Sequence, residues 1–329
     1  MYIANNNRYE NMKYNKVGSS GLKLPVVSLG LWHNFGIDDN FENMRNMLQT
    51  AFDNGITHFD IANVYGSKGT AETNFGKIFE MDFKQHRDEL IISTKAGYEM
   101  WEGPYGNWGS RKYLLSSLDQ SLERLKLEYV DIFYHHRMDP DTPLEETMGA
   151  LDQAVKSGKA LYAGISNYDV PTTKKAIEIM KRLNCPLIIN QIKYSIFDRV
   201  VEENGFLDFA KENEFGAIIY SPLAQGLLTN KYINEIPDDS RAKKETKSLN
   251  TNNITIDIID KVKALNEVAT NRKETLAQMA LKWVLNEKAS TSVLIGASTS
   301  EQIIENCKIV NSKEFTIEEL DLIENIINK

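Results

Sequence analysis

With 329 residues, 42% of them hydrophobic and 26% charged, the chain has enough apolar surface for a large core and is not a disordered polymer. Its formal net charge of −8, without any Lys/Arg block, excludes the basic face that nucleic acid or an anionic membrane requires. Two cysteines, Cys185 and Cys307, are too few for a disulfide framework and lack the spacing of a zinc site, so a reducing cytoplasm is expected.

The opening "MYIANNNRYENM" is polar and Asn-rich, with neither a secretory pattern nor an apolar span, and residues 1–12 are expected to form a flexible tail. Residues 13–329 are then expected to form one domain. "YNKVGSSGLKLP" flanks a Gly-Ser-Ser-Gly turn with alternating residues, a hairpin signal. Short apolar runs follow in chain order: "VVSLGLW" (26–32), "THFDIA" (57–62), "LIISTKAG" (90–97), "VDIFYHH" (130–136), "LYAGIS" (161–166), "LIINQI" (187–192), "AIIYSP" (217–222) and "SVLIGAS" (292–298).

Between most of these runs lie segments with helical spacing, such as "FENMRNMLQTAFDNG", "RKYLLSSLDQSLERLKL" and "PLEETMGALDQAVKSGK". Nearly continuous apolar strands alternating with helices predict a parallel sheet covered on its outer side, and eight such units close a (β/α)8 TIM barrel with the hairpin at its bottom. A doubly wound sheet is the competitor, but the chain contains no G-x-G of any kind. The stretch after the seventh strand, 223–255, is too long for an ordinary connection and reads as a lid in which Lys231 and Arg241 clamp an anion.

In a barrel, chemistry gathers at the C-terminal ends of the strands. The second, third and fourth strands run out near Asp60, on Lys95, and on His135 and His136. These ends are neighbouring staves and converge. Tyr65, on the chain leaving the second strand, folds over the same mouth. A free phenol, with a pKa of roughly 10, is a weak acid at neutral pH; a nearby ammonium lowers it, and a carboxylate keeps that ammonium charged against burial. Asp60, Lys95 and Tyr65 supply that set. Of the adjacent histidines, strand alternation admits at most one to the mouth.

These residues identify a resemblance to the aldo-keto reductase superfamily, whose Asp, Tyr, Lys and His tetrad matches Asp60, Tyr65, Lys95 and His136. The likeness runs from about Lys13 to the C-terminus. "SLGLWHNFG", "WEGPYGNWGSRKYLLSSLDQSLERLKLEYVDIFYHHRMD" and "YSPLAQGLLTNKY" look most like the bacterial L-glyceraldehyde-3-phosphate and methylglyoxal reductases, with potassium-channel β subunits as more distant relatives. The resemblance implies NADPH-dependent reduction of a small aldehyde or ketone without metal: Tyr65 protonates the developing alkoxide and His136 orients the carbonyl.

The resemblance also assigns the cofactor contacts: Ser166, Asn167 and Gln191 at the carboxamide, Tyr220 stacked on the nicotinamide ring, and Ser221, Leu223, Gln225 and Gly226 along the pyrophosphate. Lys231 and Arg241 close over the phosphates and adenosine, and Gly296, Ser298, Gln302, Glu305 and Asn306 hold the adenosine end. Where relatives often carry a basic residue after "GAS", this chain has Thr299, leaving less charge to meet a 2′-phosphate. Trp32, Trp101 and Trp108 are expected to wall the substrate pocket. Arg111, Arg137 and Arg199 are equal candidates for a substrate phosphate. The resemblance further implies a homo-oligomer, tetramer or octamer, and a rival role as a cofactor-binding regulatory subunit with slow turnover. In the channel subunits asparagine stands where this chain has His136, which favours the enzyme. A metal-dependent hydrolase is disfavoured because no H-x-H occurs.

Overall fold

The computed structural model describes residues 2–232, 254–286 and 289–328. A short antiparallel hairpin, β1 (Tyr14–Lys16) and β2 (Lys23–Pro25), precedes eight parallel strands: β3 (Val27–Gly30), β4 (His58–Asp60), β5 (Ile91–Ala96), β6 (Val130–His135), β7 (Ala160–Ser166), β8 (Leu187–Lys193), β9 (Gly216–Tyr220) and β10 (Ser290–Ile295). They close as β10-β3-β4-β5-β6-β7-β8-β9, the eight-stranded barrel expected from the apolar runs.

The connecting helices are α1 (Phe41–Asp53), α2 (Tyr65–Ile78), α3 (Arg111–Leu125), α4 (Leu144–Lys156), α5 (Val170–Arg182), the short pair α6 (Val200–Glu203) and α7 (Phe206–Glu212), then α8 (Ile256–Asn271), α9 (Leu276–Asn286), α10 (Ser300–Cys307) and α11 (Ile317–Ile327). Local chemistry sets their starts. The side chains of Asn40, Ser110 and Asp169 accept from Asn43, Tyr113 and Thr172 backbone N–H groups, satisfying donors that a helix start leaves orphaned. None of the described helices is long and apolar enough to cross a membrane.

Strand alternation divides the core into two. Outward residues such as Val27, Leu29, Phe59 and Ile92 join the helices in the main hydrophobic cluster. Inward residues Ile132, Tyr134, Ile189, Ile218 and Leu294 form an inner cluster with Val17 and Leu24, so the hairpin covers one end of the barrel interior. Gly216 makes room for this closure, since a Cβ there would meet Val17 at 2.6 Å.

The N-terminal segment differs from the expected tail. The Tyr2 hydroxyl donates to Asp53 Oδ1 at 2.5 Å, Arg8 and Tyr9 both reach Glu89, and Ala4 and Met12 are buried. The reason is long-range: these partners lie on α1 and just before β5, far from the segment in sequence.

Candidate active site

Asp60 ends β4 and Lys95 lies next to the end of β5, and register sets Asp60 beside Ser93 and Lys95 beside Tyr134. Asp60 is 2% and Lys95 0% exposed. The Lys95 ammonium donates to Asp60 Oδ2 at 2.5 Å and to the Ile61 carbonyl at 2.7 Å. Asp60 Oδ1 accepts from the Ser93 hydroxyl at 2.6 Å and from Gln191 Nε2 at 3.1 Å. The carboxylate therefore has three donors and the ammonium two acceptors, which is what a buried ion pair needs to persist.

Tyr65 reaches this pair because the chain reverses just after it. Gly66, Ser67, Lys68 and Gly69 all take left-handed φ values of 62°, 62°, 58° and 98°, a rare run for residues with side chains. At Gly69 a Cβ would stand 2.6 Å from Arg124 Nε, so only glycine allows Arg124 to close over the turn. Arg124 is held in turn by Glu72 at 2.8 Å. The turn sets the Tyr65 ring with its centroid 5.1 Å from Lys95 Nζ and 5.9 Å from the His136 ring, which it meets edge-on. Tyr98 also packs edge-on against His136, at 4.7 Å between centroids.

Of the adjacent pair only His136 enters the mouth, as alternation requires. His136 lines the cleft, whereas His135 is buried elsewhere with Nδ1 2.6 Å from the Tyr168 hydroxyl. Burial pushes His136 well below 6.5, aided by the charges of Lys95 and Arg137, so its ring is neutral at pH 7. Burial also draws Lys95 below 10.5, with Asp60 opposing the shift.

Tyr65 corrects one expectation. Burial, followed by the Asp60 charge and the Tyr220 and Tyr98 hydroxyls, pushes its phenol well above 10 rather than below. The ammonium is spent on Asp60 and on the Ile61 carbonyl, so desolvation wins. The phenol thus keeps its proton through the neutral range.

A cleft of about 1290 Å³ opens from these residues. Its wall carries most of the expected set: Ser166, Asn167, Gln191, Tyr220, Ser221, Leu223, Gln225, Gly226, Lys231, Gly296, Ser298, Gln302, Glu305 and Asn306. The Tyr220 hydroxyl donates to Asn167 Oδ1 at 2.8 Å, and the Ser166 hydroxyl to the Gln191 carbonyl at 3.0 Å. In the loop after β9, Ser221, Ala224, Gln225 and Gly226 are left-handed, with φ of 54°, 47°, 60° and 100°. At the far end, Thr299 precedes α10 without a side-chain cap bond to the helix. The Glu301 carboxyl is lowered, first by its own backbone N–H and then by the Thr299 hydroxyl.

Arg241 and most of the expected 223–255 lid lie outside the described residues; within 223–232 the chain forms two 3₁₀ turns, with Tyr232 buried against Leu227. Trp32 lines the cleft and stacks on Tyr65 at 6.1 Å between centroids. Trp101 and Trp108 do not line it. Trp101 packs inward on Tyr113, and Trp108, at φ 70°, lies under the Arg137 guanidinium at 3.6 Å. The arginines also separate: Arg111 is held by Gly149 and Gln153, and Arg199 by Glu202 and Glu324. Arg137 alone follows a cleft residue, clasped between Tyr98 at 4.2 Å and Trp108 and bonded to the Gly97 carbonyl.

Tyr98 on the cleft wall escaped the sequence reading, and so did Ser93 and His58 beneath the ion pair. Ser93 and His58 each stand two residues before a member of the tetrad, Lys95 or Asp60, and so share its face of the strand. That alternation was the available signal.

Comparison with known proteins places this architecture. The aldo/keto reductase family model matches residues 26–328. The L-glyceraldehyde 3-phosphate reductase of Escherichia coli O157:H7 is 52% identical over 328 residues, spanning 98% of this chain and 95% of that protein. A probable voltage-gated potassium channel subunit β of Arabidopsis thaliana is 36% identical, over 91% of this chain and 92% of that one. Among solved structures, a thermostable aldo-keto reductase in complex with the inhibitor epalrestat superposes with a TM-score of 0.75 at 29% identity, covering 96% of this chain and all of that one. The chain belongs to the aldo/keto reductase family and is an oxidoreductase.

The buried imidazoles predict a pH dependence of stability. His58 and His135 are each drawn from 6.5 down to about 4 by burial. Between those values the unfolded chain binds more protons than the folded one, so stability is full above pH 6.5 and falls as the pH drops toward 4. The urea midpoint should therefore decline already between pH 7 and pH 5, above the usual carboxylate range. A midpoint that is flat across that interval contradicts the assignment.

Proposed function

We propose that this aldo/keto reductase uses NADPH to reduce small aldehydes, with glyceraldehyde 3-phosphate and methylglyoxal as the substrate type. The observation that carries the reading is the fully buried Lys95, held by Asp60 against the Tyr65 ring at the inner end of the cleft, with His136 opposite. The 52% identical L-glyceraldehyde 3-phosphate reductase supports the first of these substrates; methylglyoxal is proposed as a small aldehyde of the same type.

The described wall fits a nicotinamide dinucleotide. Left-handed conformations at Ser221 and Gln225, both on the cleft wall, cost about 1–3 kcal/mol each, strain of the kind held in ligand-binding loops. At residue 299 the chain supplies a neutral hydroxyl next to the Glu301 carboxylate, so recognition of a 2′-phosphate must draw on other residues. The buried free cysteines, with thiols pushed up to about 11 and about 12, suit the reducing cytoplasm we assign as the location.

When bound, the nicotinamide supplies the hydride. Tyr65 gives its phenolic proton to the carbonyl oxygen as that oxygen becomes an alkoxide, a base strong enough to take a proton even from a phenol whose pKa is raised. Lys95 offsets the charge then left on Tyr65, and Asp60 keeps Lys95 protonated despite its burial. His136, neutral, directs the carbonyl oxygen by hydrogen bonding, and Trp32 covers the mouth.

Tyr65→Phe should lower kcat by roughly 10²–10⁴ while leaving the NADPH Kd nearly unchanged. Lys95→Met should cost about as much, and the double variant little more than either, because both disable one proton-transfer unit. Steady-state consumption of NADPH with methylglyoxal, paired with NADPH titrations, checks this. More than half of wild-type kcat in Tyr65→Phe, or additive losses, would count against it.

Arg137 is the phosphate-binding candidate because it alone of the three stands beside the tetrad. Arg137→Met should lower kcat/KM for glyceraldehyde 3-phosphate by about 10- to 100-fold, as expected for a hydrogen bond to a charged group, and spare methylglyoxal, which has no phosphate. Equal losses on both substrates would make Arg137 a loop support only.

A further inference from the structure

The side of the barrel interior formed by β10, β3, β4 and β5 is polar beneath the ion pair. Ser292 Oγ lies 2.7 Å from Ser28 Oγ, Ser28 Oγ 2.9 Å from His58 Nδ1, and His58 Nε2 3.0 Å from Ser93 Oγ, which donates to Asp60 at 2.6 Å. Ser28, His58, Ser93 and Ser292 are all 0% exposed. The opposite side of the interior, on β6, β8 and β9, is filled by Ile132, Ile189 and Ile218, the branched apolar residues usual in a barrel core. Replacing a buried polar pair by apolar groups of similar shape is often neutral for stability, so filling space does not require this chain.

The carboxylate dictates its polarity. A carboxylate only accepts, so the single Ser93 proton points to Asp60, and Ser93 must accept from His58 Nε2–H. A neutral imidazole has one N–H, so Nδ1 accepts from Ser28, which in turn accepts from Ser292. The imidazole is neutral because burial holds it near pH 4.

We infer that His58 is a positioning residue: through the Ser93 hydroxyl its Nε2–H fixes the Asp60 carboxylate, and with it the place of the Lys95 ammonium under Tyr65. Ser28 and Ser292 complete the chain by meeting the Nδ1 that this tautomer leaves as an acceptor. This rests on the proposed roles of Asp60, Lys95 and Tyr65. No proton moves along the chain in this account; each hydroxyl is a fixed donor to the next group.

Two measurements test it. Long-range ¹H–¹⁵N NMR of histidine-labelled enzyme, with the His58 signals identified by their absence in His58→Gln, should show the Nε2–H tautomer at pH 7. Ser93→Ala should move His58 to the Nδ1–H form. A wild-type ring that is Nδ1–H or doubly protonated overturns the inference, whether or not any variant is active. Kinetically, Ser93→Ala and His58→Leu should lower kcat by about 10- to 100-fold, the range for one hydrogen bond to a charged group, with KM and the NADPH Kd changed by no more than about twofold. His58→Gln, whose amide keeps a donor, should recover most of kcat; a purely structural role would instead lower the thermal midpoint of all three without a kcat-against-KM split. Tyr65→Phe separates the two levels of the argument. If it is inactive while Ser93→Ala and His58→Leu keep wild-type kcat, this inference alone fails; if it is active, the underlying reading fails.

Discussion

The structure turns on one buried ammonium. Lys95 has no exposed surface, and taking its charge out of water costs several kcal/mol, which only close partners offset. Asp60 and the Ile61 carbonyl are those partners. Breaking a buried pair by removing one member typically costs about 3–5 kcal/mol, so Asp60 cannot be lost without consequence for Lys95. The rest of the mouth follows from this pair: Ser93 and Gln191 complete the carboxylate, and Tyr65 and His136 stand around the ammonium.

The barrel brings these groups together without any flexible element having to find them. Asp60, Lys95 and His136 sit at the ends of consecutive staves, and parallel register fixes their relative heights. Tyr65 is the exception, because it leaves the strand. Its placement relies on the left-handed turn from Gly66 to Gly69, which Arg124 and Glu72 brace from behind. Strain accepted in that turn and in the loop after β9 lies next to the cleft, where backbone strain commonly serves function.

Much of this was legible in the sequence because barrel strands are buried on both faces. Runs such as "VDIFYHH" and "LIINQI" announced strands without help from their surroundings, and the Gly-Ser-Ser-Gly turn announced the hairpin. The convergence of Asp60, Lys95 and one histidine followed from strand order alone. What depended on direction within loops was not legible: nothing local told Trp101 to pack on Tyr113 or Trp108 to lie under Arg137. The direction of the Tyr65 shift is not legible in the sequence for a related reason. Charge partners can be guessed from spacing, but the extent of desolvation cannot, and here desolvation is the larger effect. The packed N-terminal segment was hidden because its partners, Asp53 and Glu89, are distant in sequence.

Asp60 matters by keeping Lys95 charged beneath Tyr65, and Asp60→Asn isolates that role because the amide preserves shape while removing the charge. Single-turnover rates of NADPH oxidation, measured on protein shown to be folded and to bind NADPH with unchanged Kd, should fall by about 10²-fold or more, the scale of a disabled general acid. A rate within about twofold of wild type would contradict the account, since Lys95 would then need no carboxylate to act.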